Sequence, residues 1–492
     1  MSEKPTFFHQ FMDMEPVRRQ SLIHIGTNIT ITAVGFLSTF YFAHALGPSV
    51  LGAYFLFLAY FGIFNLIVDG GFGYATAKRM SEGKDKGEYY SASAVLRLLL
   101  LVVSLAILLA IRPFLVDLNS SDLFWWLVLA LIVNLPFGIA GGGNYGLGKA
   151  GVVQGSNLLN NLTRILLQIS FVFLGFQLAG LAGGFIAGLA VGFLFNYRYL
   201  EVRFCRFSLV HLKSLFTFSF WTFLAMSGLF ILTTADVIFI GYFMGNAEVG
   251  VYRVALQLAS LGVFIALALE NVLFPRFSSW SEEGNHEMIA TSLSRAYTYS
   301  FVLAIPFCFG GWLLADKLLY YLYGESFTSG TFALLVFLPL YVIYIFQYLQ
   351  MMTLNALNHP KESFWITSLI VIVNIVLNIL LIPVLGITGA ALATFISILI
   401  SVILGNLVIG KYISVKMEKK PILHILGAAA IMAFVVGGLR LVVPVVNLGY
   451  LIGLVIIGAI VYFVLLFRID REIRNELKEM VTQIGIFWPD FL

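Results

Sequence analysis

Five polar residues in one otherwise apolar stretch are the first candidates for chemistry. Gln154, Asn157, Asn161, Arg164 and Gln168 follow one another at intervals of 3, 4, 3 and 4 residues. At 3.6 residues per turn this spacing puts all five on one face of a helix, as a stripe about 21 Å long. In hydrocarbon such a stripe is untenable against lipid, so it lines either a wet cavity or a polar contact with another helix. Arg164 falls near the middle of its stretch. A guanidinium fork donates two parallel bonds, which suits phosphate better than a lysine does.

Two further groups share a helical face. Tyr341, Tyr344 and Tyr348 recur at 3 and 4, beside Gln347 and Gln350. Tyrosines so placed can stack on sugar rings and donate hydrogen bonds, or simply pack. Asn374 and Asn378 sit at i and i+4. These ten residues, from Gln154 to Asn378, form the candidate substrate-binding set. Five ionisable residues, Asp69, Arg97, Asp236, Glu270 and Arg295, also lie in apolar segments. Each costs roughly 2.5–3.5 kcal/mol to bury in a bilayer, so each needs a reason. They are candidate coupling or gating groups. Arg97 and Arg295 are placed to snorkel toward an interface. Asp69, next to Gly70-Gly71, is placed to cap or bend its helix. Asp236 is a candidate for pairing, outer gating or ion coupling.

No HExxH, Walker loop or GxSxG accompanies these groups. The two cysteines, Cys205 and Cys308, have neither disulfide nor metal spacing. The chain therefore reads as a non-enzyme without metal or cofactor, and as one that does not hydrolyse ATP itself.

The elements that position these residues follow from composition. Hydrophobic residues make up 60% of the 492 and charged residues 11%, with a mean hydropathy of +0.95. That excludes a soluble or disordered chain. Apolar runs long enough to span hydrocarbon recur from Ser21 to Phe467. They predict an all-α polytopic membrane protein with about 14 transmembrane helices. The spans fall near 21–44, 51–76, 90–111, 123–144, 151–175, 178–198, 214–243, 250–275, 290–315, 329–354, 363–384, 388–410, 422–443 and 449–467. The polar stretch 1–20 precedes a run too long for a cleavable signal core.

Lysine and arginine set the orientation. One side holds Lys78, Arg79, Lys84 and Lys86, then Arg198, Arg203, Arg206 and Lys213, then Lys411, Lys416, Lys419 and Lys420. The N-terminal stretch and the tail from Arg468 add more. By the positive-inside rule that side, with both termini, is cytoplasmic, in the plasma (inner) membrane. An even number of spans agrees.

The chain also repeats. Gly47-Pro-Ser-Val-Leu-Gly52-Ala-Tyr54 matches Gly245-Asn-Ala-Glu-Val-Gly250-Val-Tyr252. Gly180-Leu-Ala-Gly183-Gly184 resembles Gly386-Ile-Thr-Gly389-Ala390 at a similar offset. Six spans per copy give both copies one orientation. Two pseudo-symmetric six-helix lobes with a cavity between them are expected, an N-lobe at 21–198 and a C-lobe at 214–410. The linker 199–213 joins them. The loop 411–421, two further spans at 422–467 and a cytoplasmic tail at 468–492 complete the organisation.

The sequence resembles the Wzx-type polysaccharide flippases of the multidrug/oligosaccharidyl-lipid/polysaccharide (MOP) exporter superfamily, over most of its length. Four places carry the resemblance: Leu46-Gly47-Pro48 to Tyr54; Asp69-Gly-Gly-Phe-Gly73; Asp236 with Gly241 and Gly250-Val-Tyr252; and Asn374 through Asn378 and Pro383 to Gly386-Ile-Thr-Gly389. Asn355-Ala-Leu-Asn-His-Pro-Lys361 looks like the family's linker before that last helix. The resemblance implies alternating access and a polyprenyl-linked oligosaccharide as cargo. It also implies a cationic cavity for the pyrophosphate, a role Arg164 fits. H+ or Na+ is the candidate coupling ion, membrane lipid and polysaccharide-assembly proteins are candidate partners, and nucleic acid is not one. Several cavity basics typical of the lipid II branch are not evident, which disfavours that cargo. A drug or cation antiporter of the multidrug-and-toxin-extrusion type is the alternative, kept open by Asp69 and Asp236. A membrane polymerase or ligase would need larger external loops.

Overall fold

The computed structural model describes residues 16–115, 118, 122–442 and 445–483. Lys4 and the last part of the tail lie outside the described residues. Within them regular structure is helical throughout. The helices are α1 (Pro16–Asp69), α2 (Phe72–Ser81), α3 (Lys86–Ile111), α4 (Phe124–Gly146), α5 (Ala150–Phe173), α6 (Gln177–Arg198) and α7 (Leu209–Phe243). After them come α8 (Asn246–Ala259), α9 (Phe264–Glu282), α10 (His286–Tyr323), α11 (Thr331–Ala356) and α12 (Pro360–Ile409). The chain closes with α13 (Lys419–Val442), α14 (Leu448–Ile469) and α15 (Arg471–Gln483).

Ten helical stretches among the described residues are long and apolar enough to cross a membrane. The chain is a multi-pass membrane protein. Two of the ten are broken at a glycine whose backbone is not helical: Gly47 (φ 71°, ψ 179°) in α1 and Gly386 (φ 61°, ψ −143°) in α12. Only glycine adopts such angles without strain. In α12 the break reverses the chain. Asn374 Nδ2 lies 3.2 Å from Thr394 Oγ1, whereas twenty residues of continuous helix would separate them by about 30 Å. The 24-residue α5 is long enough to cross but is not among the ten. Its polar face lowers its hydropathy below theirs.

The chain divides into two compact units, Met1–Ala247 and Glu248–Leu492. The sequence reading put the seventh span in the second lobe. In the structure α7 belongs to the first unit, packing on α1, α2 and α3. Gly71 permits this. A Cβ there would sit 2.5 Å from the Ser219 carbonyl of α7. Leu215 joins Phe72, Ala75 and Ala92 in a buried cluster, and the Lys78 ammonium lies 4.5 Å above the Phe218 ring.

Within the first unit α5 and α6 pack most intimately. Gly184, Gly188 and Gly192 recur every four residues along α6. A Cβ at Gly184 would meet Gln168 Cγ at 2.6 Å, and one at Gly188 would meet Asn160 Oδ1 at 2.6 Å. Small residues at this period let membrane helices approach backbone to backbone. The close contact fixes the rotation of α5 and hence the direction of its polar stripe.

In the second unit, α10 packs against α11 and α13, and α11 against α12. Tyr252 is buried against Phe337. Its repeat partner Tyr54 is buried in the first unit. Gly47 and Gly245, which open the two matching segments, both have positive φ (71° and 113°). The second pair of motifs is not equivalent in conformation. Gly386 breaks its helix, whereas Gly180 lies inside α6 and the reversal before it falls at Gly175 (φ 89°).

Candidate functional site

The stripe on α5 splits into two parts. Gln168 is buried and its amide nitrogen donates both its hydrogens, to the Tyr54 hydroxyl and the Leu181 carbonyl, each at 2.7 Å. It holds α5 to α1 and α6. Asn161 donates to the Asn157 backbone carbonyl at 2.8 Å. Arg164 is half-buried and acts electrostatically on Tyr54. Its guanidinium makes no ion pair or hydrogen bond among the described residues. A guanidinium offers five N–H donors in a planar fork, whose chemistry suits an anionic group.

Gln154 and Asn157 face a cavity of about 520 Å³ within the first unit. Its walls come from α1, α2, α3, α4, α5 and α6. One charge pair stands in it. Arg97 Nη2 lies 2.8 Å from Asp69 Oδ1. Sequence reasoning had Arg97 snorkelling to an interface. Instead it is 4% exposed and paired, while Asp69 is 27% exposed. Two glycines make room: a Cβ at Gly138 would lie 2.4 Å from Arg97 Nη2, and one at Gly73 would lie 3.0 Å from Asp69 Oδ1. Asp69 therefore anchors a neighbouring cation rather than capping a helix; the N-cap of α2 is Gly71, with no side-chain cap.

Several amides here escaped sequence reasoning. Asn134 donates to Asn65 Oδ1 at 2.6 Å. Asn144 donates to Asn196, which donates to Ser156, which donates to the Gly192 carbonyl. Asn134 and Asn144 lie ten residues apart in α4, which puts them on different faces, and their partners lie on other helices, so no helical spacing signals them. Asn65, one turn before Asp69, was the detectable exception.

The remaining candidates are distributed elsewhere. In the second unit the tyrosine row is real. The rings of Tyr341, Tyr344 and Tyr348 follow one another at 5.8 and 5.9 Å, and the Tyr348 hydroxyl donates to the Glu270 carboxylate. That brings a coupling candidate and a binding candidate into one group. Asn374 and Asn378 are fully buried. Asn378 donates to Asn374 Oδ1 at 3.0 Å, and Asn374 bonds Thr394, so the pair ties the two arms of α12 together. Asp236 is buried in α7 and is not without a partner there. Arg295 is exposed and ringed by Glu418, Glu472 and Glu476 at 3.6–3.9 Å. It holds α15, whose first turn is capped by Asp470.

Comparison with known proteins makes this two-unit helical membrane protein a transporter rather than a catalyst. The chain belongs to the family described as "Polysaccharide biosynthesis protein", which matches residues 17–281; the MatE family matches residues 222–380. It is thus a member of the MOP superfamily. It is 28% identical to the "Probable low-salt glycan biosynthesis flippase Agl15" of Haloferax volcanii, over 95% of this chain and 99% of that one. It is 27% identical to the "Probable flippase AglR" of the same organism, over 96% and 99%. Among solved structures it is similar to a lipid II flippase MurJ in an inward closed conformation (TM-score 0.77, 18% identity, 90% of this chain and 98% of that one). It is also similar to an inward-facing multidrug resistance MATE family transporter (TM-score 0.62, 18% identity, 78% and 95%). These two likenesses establish the fold.

Proposed function

We propose that this protein flips a polyprenyl-(pyro)phosphate-linked oligosaccharide from the cytoplasmic to the outer leaflet by alternating access, for cell-surface glycan biosynthesis. The observation that carries the reading is Arg164, a half-buried guanidinium with no ion-pair or hydrogen-bond partner among the described residues. A diphosphate supplies the bidentate acceptor such a fork lacks. Two relatives named as flippases, aligned over nearly the whole chain, support it.

In this reading fourteen helices cross the plasma membrane, counting the two arms of α1 and of α12 separately and including α5 and α7. Both termini are cytoplasmic, as the lysine and arginine distribution favours. Tyr341, Tyr344 and Tyr348 contact sugar. Asp69, Arg97, Asp236 and Glu270 serve coupling to H+ or Na+, and polysaccharide-assembly proteins receive the product. Arg295 has the separate task of holding α15.

The MatE match over residues 222–380 favours a second reading, export of a cationic drug. One experiment separates the two. Protein reconstituted in liposomes is offered a polyprenyl-pyrophosphate disaccharide and, separately, ethidium. Movement of the lipid alone is the expected result. Movement of ethidium alone overturns the proposal.

A further inference from the structure

The cavity of the first unit has an unusual balance of charge and polarity. Among the described residues its only charged linings are Asp69 and Arg97, and these neutralise each other at 2.8 Å. The other polar linings are neutral: five amides, of which those of Asn65, Asn134 and Asn196 bond within the protein, and the phenols of Tyr74 and Tyr145. Both tyrosines are more than half exposed. The Gln154 and Asn157 side-chain amides have no hydrogen-bond partner among the described residues. Arg97 Nε is buried and also unpartnered. Its volume is within the range of small-molecule sites.

Unsatisfied neutral donors and acceptors beside exposed aromatic faces are the chemistry that receives a polyol. A carboxylate or sulfate entering the same space would lose its hydration and find no net positive charge, because Asp69 has already taken that of Arg97. Arg164 is not in this cavity. It lies on the same face of α5, about 10 Å beyond Asn157 along the axis. A glycan whose pyrophosphate is held at Arg164 would extend along the stripe toward Asn157 and Gln154.

We infer that this cavity holds uncharged sugar rings of the transported glycan, and that Asp69 determines this selectivity by cancelling the charge of Arg97. The inference rests on the flippase reading and adds a division of labour to it. Arg164 binds the diphosphate, and the cavity of the first unit selects the sugar.

The test uses the full-length protein in liposomes and three short-chain polyprenyl pyrophosphates. One carries no sugar, one carries glucosyl-N-acetylglucosamine, and one carries the same disaccharide with glucuronate in place of glucose. Wild type is expected to flip the neutral disaccharide at least about ten-fold faster than the glucuronate, a difference of about 1.4 kcal/mol. Asp69→Asn, which leaves Arg97 unbalanced, should narrow or invert that ratio. The double variant Asp69→Asn/Arg97→Gln, neutral again, should restore it. Asn157→Leu should slow the neutral disaccharide while leaving the sugar-free carrier unaffected. Should Asp69→Asn fail to fold, the double variant and Asn157→Leu still decide the matter. Equal rates for the two disaccharides in wild type overturn the inference while the flippase reading stands; movement of the sugar-free carrier alone overturns both. Movement of none of the three overturns the flippase reading itself.

Discussion

Replacing Arg164 by alanine separates a binding role from a structural one. In the structure its guanidinium makes no ion pair or hydrogen bond among the described residues, so truncation removes only its electrostatic effect on Tyr54. A change of this kind usually alters stability by about 0.5 kcal/mol or less. Against a diphosphate the same side chain would make charge-assisted bonds, together contributing roughly 1.5–3 kcal/mol. Since 1.4 kcal/mol is a factor of ten, affinity should fall about ten- to a hundred-fold. The control is Gln168→Ala, four residues along the same face. Gln168 is buried and its amide makes two bonds of 2.7 Å. Its loss leaves the Leu181 carbonyl and the Tyr54 hydroxyl without that donor, at a cost of roughly 1–3 kcal/mol. Farnesyl pyrophosphate binding by titration calorimetry in nanodiscs, with thermal melting of the same samples, reads both quantities. Arg164→Ala should weaken binding and keep its melting temperature; Gln168→Ala should do the reverse. A normal affinity in Arg164→Ala, or a melting temperature lowered as far as in Gln168→Ala, would refute the reasoning.

Substitutions at three other places probe the rest of the frame. Asp69→Ala alone strands Arg97 as a buried charge and should destabilise the protein by about 3–5 kcal/mol, whereas Asp69→Leu with Arg97→Met should come close to wild type; chemical denaturation in detergent compares them. Gly386→Ala forces a side chain into a backbone conformation that costs about 1–3 kcal/mol, so it should lower the melting temperature. Wild-type melting would mean that α12 does not turn there. Arg295→Ala should leave melting nearly unchanged, because its pairs are exposed and such pairs contribute about 0–1 kcal/mol. It should nevertheless speed tryptic cleavage within α15, and an unchanged digestion pattern would show that Arg295 does not hold that helix.

The sequence by itself determined the class and most of the elements. Hydropathy is a property of each segment alone, so the apolar runs predicted the helices that the structure contains. The glycines at 47 and 386 marked real breaks, because the backbone angles there exclude other residues. Periodicity placed Gln154, Asn157, Asn161, Arg164 and Gln168 on one face, since a helix converts spacing into direction without help from its neighbours. What each of those residues meets was decided only in three dimensions. The glycine ladder of α6 rotates α5 so that Gln168 enters a packed contact while Gln154 and Asn157 meet a cavity. The same applies to Arg97, whose partner Asp69 belongs to another helix. It applies to Asn374 and Asn378, which bond within their own hairpin, and to α7, which packs with the first unit. Pairing between helices depends on which faces come together, and no local pattern encodes that. The polar stripe around Arg164 was legible from the start; its division into a packed end at Gln168 and a cavity-facing end at Gln154 and Asn157 was not.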